Sequence, residues 1–292
     1  MGGVSAEFVT RAPRPALAGA VVGLTWYAER APAPVTFREL PCTYVPVIID
    51  LGAGWTVGDG RRPERPPERL GSFVAGLTDG PVIVSHAGTA RCLQVDLAPL
   101  AARRLLGVPM GELANRSVDL GAVVGPTAAE LAERIDAASD PERAFAIVED
   151  AIQARLAAAP RGDPGVAWSL GRLGASGGRA PVGGLAEELG WSHRRLIARF
   201  RDAVGMPPKR VARILRLERL LAQVDLDGPE PPHWARAAAE CGFADQAHLA
   251  REVRELTGLT PTALRTERVN SLQDAPPAAA ENGRSPRREE QR

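Results

Sequence analysis

An imperfect internal repeat in the C-terminal third restricts the fold of this chain more than any other feature. When the sequence is shifted by 53 residues, Leu196 falls on Leu249 and Gly205 falls on Gly258. The same shift pairs Arg201 with Arg254, Pro208 with Pro261 and Ser192 with Asp245, and a shift of 52 residues pairs Ala186 with Ala238 and Gly190 with Gly242. Because these positions recur in register, the sequence predicts two copies of one helical unit.

Each copy has the plan of two short helices joined by a tight turn. A small residue, Ala186 or Ala238, lies where a second helix must approach closely, and the glycine four residues later permits a left-handed backbone. Ser192 and Asp245 are favourable N-cap residues for the second helix, which continues with apolar residues four positions apart. This spacing predicts a helix-turn-helix, whose second helix can enter the DNA major groove.

The segment between the copies, KRVARILRLERLL, predicts a linking helix. About 17 residues at 1.5 Å per residue span roughly 25 Å. Two units held at that separation can place their second helices in successive major grooves, which lie about 34 Å apart along one face of DNA. The repeat therefore predicts a protein that binds double-stranded DNA.

Composition and periodicity divide the chain into five parts. Residues 1–16 and 269–292 are polar and without hydrophobic periodicity, which predicts disordered tails. Residues 17–160 predict a sensing or dimerisation domain, and residues 166–268 predict the double helix-turn-helix domain. The segment RGDPG at 161–165 predicts a hinge between the two domains.

The fold class predicted for the chain is α+β. Short β-rich segments separated by glycine and proline predict an N-terminal antiparallel β sandwich or barrel, cupin-like, with a helical extension after Pro99. The predicted strands lie in ALAGAVVGLTWY, TYVPVIIDLG, GSFVAGL, GPVIVSHAG and ARCLQVDL, and GDGRRPERPPERLG predicts a long exposed loop. The C-terminal part predicts an all-α domain of seven short helices with the two helix-turn-helix units.

Charge and cysteine content narrow the class of protein. The 36 basic and 35 acidic residues give a net charge of +1, so any affinity for nucleic acid must come from a local patch. Cys42, Cys92 and Cys241 are far apart and show no CxxC pairing, which predicts a reduced, cytoplasmic protein. The N-terminus lacks signal-peptide order, and no stretch approaches the roughly 20 apolar residues of a membrane span, so we expect no membrane association.

The C-terminal sequence resembles the AraC/XylS family of transcriptional regulators. The matching segments are LAEELGWSHRRLIARFRDAVGMPPKRVARILRLERLL and AAAECGFADQAHLAREVRELTGLTPTALR, within residues 166–268. The resemblance implies sequence-specific promoter binding, RNA polymerase as a partner, and control of transcription as an activator or as a repressor. LLGVPMGELANRSVDLG looks like the sensing half of some members, which implies a small-molecule effector or a homodimer.

The two copies differ in charge. From Ser192 to Arg210 there are six basic residues and one acid, whereas from Asp245 to Pro261 there are two arginines and three acids. Because phosphate neutralisation supplies most non-specific affinity, we expect the first copy to hold the DNA and the second to add selectivity. The residues expected to contact phosphate are Arg195, Arg199, Arg201, Lys209, Arg210 and Arg254.

Base reading is expected from the N-terminal halves of the two second helices. The predicted base-reading residues are His193, Arg194, Ile197, Gln246 and Arg251. Arginine can pair with guanine, glutamine with adenine, and an aliphatic side chain can meet a thymine methyl group. The family often has arginine at both repeat positions, but Ala198 stands opposite Arg251, so the first helix is expected to read one base fewer.

Two alternative functions remain open at this point. A cupin-type metal enzyme fused to a DNA-binding domain would need several histidines, but the first 160 residues hold only His86, and the adjacent Ser85 has no evident orienting acid. A DNA-repair alkyl-transfer protein would need a reactive cysteine, and Cys241 lies in a turn where the family also has cysteine. We therefore expect no enzyme, catalytic residue, metal or cofactor, while effector, operator and oligomeric state stay open.

Overall fold

A computed structural model describes residues 5–224, 226 and 232–266 of the chain. Its strands are Ser5–Arg11 (β1), Val21–Arg30 (β2), Val35–Glu39 (β3), Val45–Asp50 (β4), Trp55–Asp59 (β5), Glu68–Leu70 (β6), Phe73–Ala75 (β7), Val82–His86 (β8), Thr89–Leu97 (β9) and Ser117–Asp119 (β10). They form two antiparallel sheets in the N-terminal part, one of six strands in the order β1-β2-β9-β4-β7-β10 and one of four in the order β3-β8-β5-β6.

Both faces of the larger sheet are covered, which explains its near-continuous apolar strands. On β9, Cys92 faces the smaller sheet and packs with Tyr27 and Trp55, whereas Leu93 and Val95 belong to the core under the helices. Alternation along a strand sends neighbouring side chains to opposite faces. The predicted antiparallel sandwich with a helical extension is confirmed.

The N-terminal segment corrects the expectation of a disordered tail for residues 5–16. Ser5–Arg11 pairs antiparallel with β2, and the ring of Phe8 meets that of Tyr27 edge to face at 5.5 Å. The backbone N–H of Arg14 donates to the buried carboxylate of Glu149 at 2.7 Å. These partners are distant in sequence, so the segment shows no local periodicity. Residues 1–4 and 269–292 lie outside the described residues.

Helices follow the sheets in the order that the sequence predicts. The described part contains seven of them from Pro164 onward, as expected. They are Pro99–Leu106 (α1), Leu120–Val124 (α2), Thr127–Asp136 (α3), Pro141–Ala158 (α4), Pro164–Ala175 (α5), Val182–Glu188 (α6), His193–Val204 (α7), Pro208–Gln223 (α8), Trp234–Cys241 (α9), Gln246–Thr257 (α10) and Pro261–Thr266 (α11). The Asp163 carboxylate accepts from the Gly165 N–H at 2.9 Å, so the predicted hinge is shortened by the capped start of α5.

The first helical unit packs closely against the N-terminal part of the chain. A 3₁₀ turn at Met110–Glu112 and helix α1 both contact α7. A Cβ atom at Gly205 would lie only 3.1 Å from the Met110 carbonyl oxygen, and Met110 and Met206 are both buried. One apolar core therefore runs from the larger sheet through the first helix-turn-helix unit. Within the described ranges, no helix combines the length and apolar character that crossing a membrane requires.

Candidate nucleic-acid interface

Helices α6 and α7 form the first helix-turn-helix unit. Gly190 has a φ of +62°, and the Trp191 N–H donates to the Ala186 carbonyl oxygen at 2.9 Å across the turn. The Ser192 hydroxyl then accepts from the Arg195 N–H at 3.2 Å and caps α7. The buried residues of α7 are Leu196, Phe200, Ala203 and Val204.

Helices α9 and α10 repeat the same geometry. Gly242 has a φ of +82°, and the Phe243 N–H donates to the Ala238 carbonyl oxygen at 2.9 Å, at the position equivalent to the first turn. The Asp245 carboxylate accepts from the His248 N–H at 2.6 Å and caps α10. The buried residues of α10 are Leu249, Val253, Leu256 and Thr257. The predicted repeat is therefore present in three dimensions.

Ion pairs fix α10 against the connecting helix α8. The Glu252 carboxylate lies 2.8 Å from Arg213 Nε and 3.1 Å from Arg216 Nη2. Glu252 is one of the three acids between Asp245 and Pro261 that were expected to weaken the DNA affinity of the second unit. Its charge is balanced by two arginines of α8, Arg213 and Arg216. The unit therefore presents less negative charge than the sequence suggests.

The predicted base-reading residues lie on accessible faces of α7 and α10. His193, Arg194, Gln246 and Arg251 are exposed, and Ile197 is half-buried. All five residues lie within the first two turns of their helices, the part that meets base edges in a helix-turn-helix. Their placement is compatible with base reading, which stays a prediction.

The predicted phosphate contacts fall into two groups. Arg201, Lys209 and Arg254 are exposed. Arg195 and Arg199 are also exposed but have neighbours: the Arg195 guanidinium carbon lies 4.8 Å from the Trp191 ring centroid, and Arg199 Nε lies 3.2 Å from the Asp163 carboxylate. A stacked or paired arginine is oriented by its neighbour. If it binds a phosphate, its guanidinium must contact both that neighbour and the phosphate.

Arg210, the remaining phosphate candidate, is paired with an acid of the N-terminal domain. Its Nη1 bonds to the carboxylate of Asp79, which also accepts from Arg61 Nη1 at 2.9 Å. Sequence reasoning missed both partners. Asp79 lies 131 positions from Arg210 in the sequence, so no local sequence pattern predicts the contact.

A cavity of about 830 Å³ opens between the two sheets. Its apolar lining includes Ile48, Trp55, Phe73 and Val84, and its volume falls within the range of small-molecule sites. Four arginines line the same cavity together with fewer acids. The charged lining residues are Arg61, Arg62, Arg65, Arg116, Glu39, Asp59 and Glu68.

The residues singled out for other chemistry have structural partners. The buried thiol of Cys241 donates to Gln223 Oε1 at 3.1 Å, and burial raises its pKa. His86 is buried in an aromatic cluster with its Nε2 2.9 Å from the Glu29 carboxylate. Among the residues described, no group of three or more histidine, cysteine or acidic side chains is placed to hold a metal ion.

Two protein families match the chain. A family described as a helix-turn-helix domain matches residues 185–267, and one described as a domain of unknown function (DUF6597) matches residues 9–119. The second match begins within β1 and ends where β10 ends, so it covers the other nine strands in full. A comparison with curated proteins gave no match.

Several solved structures are similar in outline. ToxT from Vibrio cholerae has 9% identity and a TM-score of 0.44, covering 91% of this chain and 98% of that chain. ToxT from the same species with bound unsaturated fatty acid has 10% identity and a TM-score of 0.42, covering 87% and 96%. The AraC-like transcriptional activator CuxR has 16% identity and a TM-score of 0.33, covering 76% and 82%. All three TM-scores are below 0.5, and all three identities are below 20%.

The helix-turn-helix match spans α6 to α10 and reaches α11, so it includes both turns and the connecting helix. The two turns share one hydrogen-bond pattern, and each leads into a capped helix with an exposed polar face. The C-terminal domain is therefore a double helix-turn-helix domain, and its match to the helix-turn-helix family agrees with the AraC/XylS resemblance of its sequence.

Proposed function

We propose that the chain controls transcription by placing α7 and α10 in successive major grooves of promoter DNA. The observation that carries the proposal is the pair of equivalent turns, in which the Trp191 and Phe243 N–H groups make the same bond at 2.9 Å. Two such units joined by one rigid helix fit a single stretch of duplex better than two separate targets.

Selection of duplexes from a random library by the full chain tests this proposal. We expect enrichment of sites with two conserved blocks about one helical turn apart, 10–10.5 base pairs. The variant Arg194→Ala should relax only the block read by α7, and Gln246→Ala only the block read by α10. An unenriched pool, or one conserved block altered by both variants, would contradict the proposal.

We propose that the first unit supplies most of the grip on DNA. The exposed Arg194, Arg201 and Lys209 support this, since the exposed arginines of α10 are two, Arg251 and Arg254. Arg195 and Arg199 would add to the grip while keeping their contacts to Trp191 and Asp163. Phosphate contacts of this kind make affinity fall steeply with salt.

We also propose that the cavity between the sheets takes a small effector with an apolar body and an acidic group. Ile48, Trp55, Phe73 and Val84 offer apolar surface, and the arginines outnumber the acids that share the lining. Polar groups at one end of an apolar pocket orient a ligand and give specificity. The bound effector would then change how the DNA-binding units are held.

An anionic fluorophore, 8-anilinonaphthalene-1-sulfonate, tests the cavity because it has this chemistry. We expect the double variant Arg62→Gln and Arg65→Gln to bind it about tenfold more weakly, since two charge-assisted contacts are lost. The matched control is Arg69→Gln, an arginine of β6 whose Nη2 donates to the Ala53 carbonyl oxygen at 2.9 Å. Equal weakening by the control, or none by the double variant, would exclude this mode of binding.

On the family resemblance alone, we propose that RNA polymerase and a second copy of the chain are partners. Of the two modes of control that the resemblance allows, we propose that the chain activates transcription. Light scattering on the purified chain measures the oligomeric state, and transcription from a selected site measures the direction of control. We also propose that the protein is not an enzyme. Mass spectrometry after incubation with alkylated DNA would contradict this if Cys241, whose thiol is buried, became methylated.

A further inference from the structure

The contact between Asp79 and Arg210 joins the two domains at a residue expected to bind DNA. Asp79 is buried, with 7% of its side chain exposed, whereas 51% of the Arg210 side chain is exposed. Arg210 lies in the first turn of α8, at the positive end of the helix dipole, which favours a phosphate. The Asp79 carboxylate of the N-terminal domain therefore pairs with the guanidinium that we expect to bind a DNA phosphate.

Arg61 extends the same contact to the second recognition helix. Its Nη2 and Nε donate to the Glu255 carbonyl oxygen at 2.8 and 3.2 Å, near the C-terminal end of α10. Carbonyl groups in the last turn of a helix lack intrahelical partners, so an arginine is well placed there. Through Arg61 and Asp79, one small cluster holds both α8 and α10.

We propose that Asp79 and Arg61 form a latch that holds the DNA-binding domain in a state of reduced DNA affinity. Release of Arg210 leaves Asp79 still paired with Arg61 at 2.9 Å, so opening does not strand a buried charge. The latch is thus a two-state contact in which DNA phosphate competes with the Asp79 carboxylate. The inference rests on the proposed DNA-binding function and names one way in which it is regulated.

Gly80 supports the latch from its other side. A Cβ atom there would lie 2.3 Å from Arg61 Nε and 2.7 Å from its Cζ, so only glycine leaves room for this guanidinium. Arg61 and Gly80 both line the cavity between the sheets. A molecule in the cavity would therefore touch the residues that hold the latch.

Fluorescence anisotropy with a mixed-sequence 40-base-pair duplex tests the latch, since a phosphate contact needs no particular sequence. We expect Asp79→Asn to bind about fivefold to tenfold more tightly, because the competent fraction rises. Gly80→Ala, which displaces Arg61 without changing the net charge, should bind no more tightly than wild type, because opening would then strand the buried Asp79 carboxylate. The control Glu130→Gln, an exposed acid of α3, makes the same change in net charge away from the latch.

A double variant separates the latch from general electrostatics. In the Arg210→Gln background, Asp79→Asn should give no gain, because the competing guanidinium is gone. A gain that persists there, a gain from Gly80→Ala, or a folded Asp79→Asn protein that binds no tighter than Glu130→Gln would overturn the latch. A wild-type chain whose binding to the duplex is absent or insensitive to salt would instead contradict the proposed function itself.

Discussion

The carboxylate of Asp96 destabilises the folded protein at neutral pH. Its carboxylate accepts from Gln94 Nε2 at 2.8 Å, and Gln94 is itself buried in the lining of the cavity. Burial raises the pKa of Asp96 to about 6, and the Gln94 bond opposes this only partly. The folded state therefore favours the protonated acid, and the charged form at neutral pH lowers the free energy of unfolding.

Replacing Asp96 with asparagine is expected to make the protein more stable at neutral pH. The stability that the protonated acid contributes is full below pH 4 and is lost as the pH rises through about 6. The free energy of unfolding of Asp96→Asn relative to wild type should therefore rise by about 2 kcal/mol between pH 4 and pH 7.5. Urea unfolding at several pH values measures it, and a difference independent of pH would refute the assignment.

Contacts between side chains that lie far apart in the sequence could not be predicted from the sequence. Arg199 and Arg210 are predictable as surface arginines near DNA, but their partners Asp163 and Asp79 lie 36 and 131 positions away. A local pattern specifies which face of a helix is polar, and it does not specify what another domain brings to that face. The exposed state of Arg194 and Arg201 needed no such information.

At the scale of elements, the turn of the first unit depends on the left-handed backbone of Gly190. Its φ is +62°, and a Cβ atom added there would meet open space, so backbone strain alone decides the cost. We expect Gly190→Val to lower the free energy of unfolding by about 1–2 kcal/mol. The matched control Gly190→Asn tolerates this conformation better and should cost less. Equal losses in thermal unfolding would show that the turn is not held at positive φ.

Elements with strong periodicity or paired signals could be predicted, and isolated short ones could not. The repeat predicted both turns because Gly190 and Gly242, with their caps, recur in register. The strand Ser5–Arg11 was missed because its residues are mostly exposed and are held by pairing with β2. Val35–Glu39, between proline-containing segments, was missed because Val35 and Phe37 are its only apolar residues.

At the scale of the whole molecule, the N-terminal domain holds the connecting helix at two places. Beside the latch, the Glu218 carboxylate of α8 accepts from the Thr43 N–H at 2.6 Å and from its hydroxyl at 2.8 Å. Leu40, next to this contact, packs in the same core cluster as Leu217 of α8. Leu40 also lines the cavity, so both contacts with α8 involve walls of the proposed effector site.

The salt dependence of binding to a library-selected duplex, measured by fluorescence anisotropy, tests most directly whether the first unit holds the DNA. We expect wild-type affinity to fall by at least tenfold between 50 and 200 mM salt, as several phosphate contacts require. Arg194→Ala should weaken binding about tenfold, Arg251→Ala by about threefold or less, and the surface control Arg134→Ala not measurably. Salt-insensitive binding, or a larger loss from Arg251→Ala than from Arg194→Ala, would contradict the account.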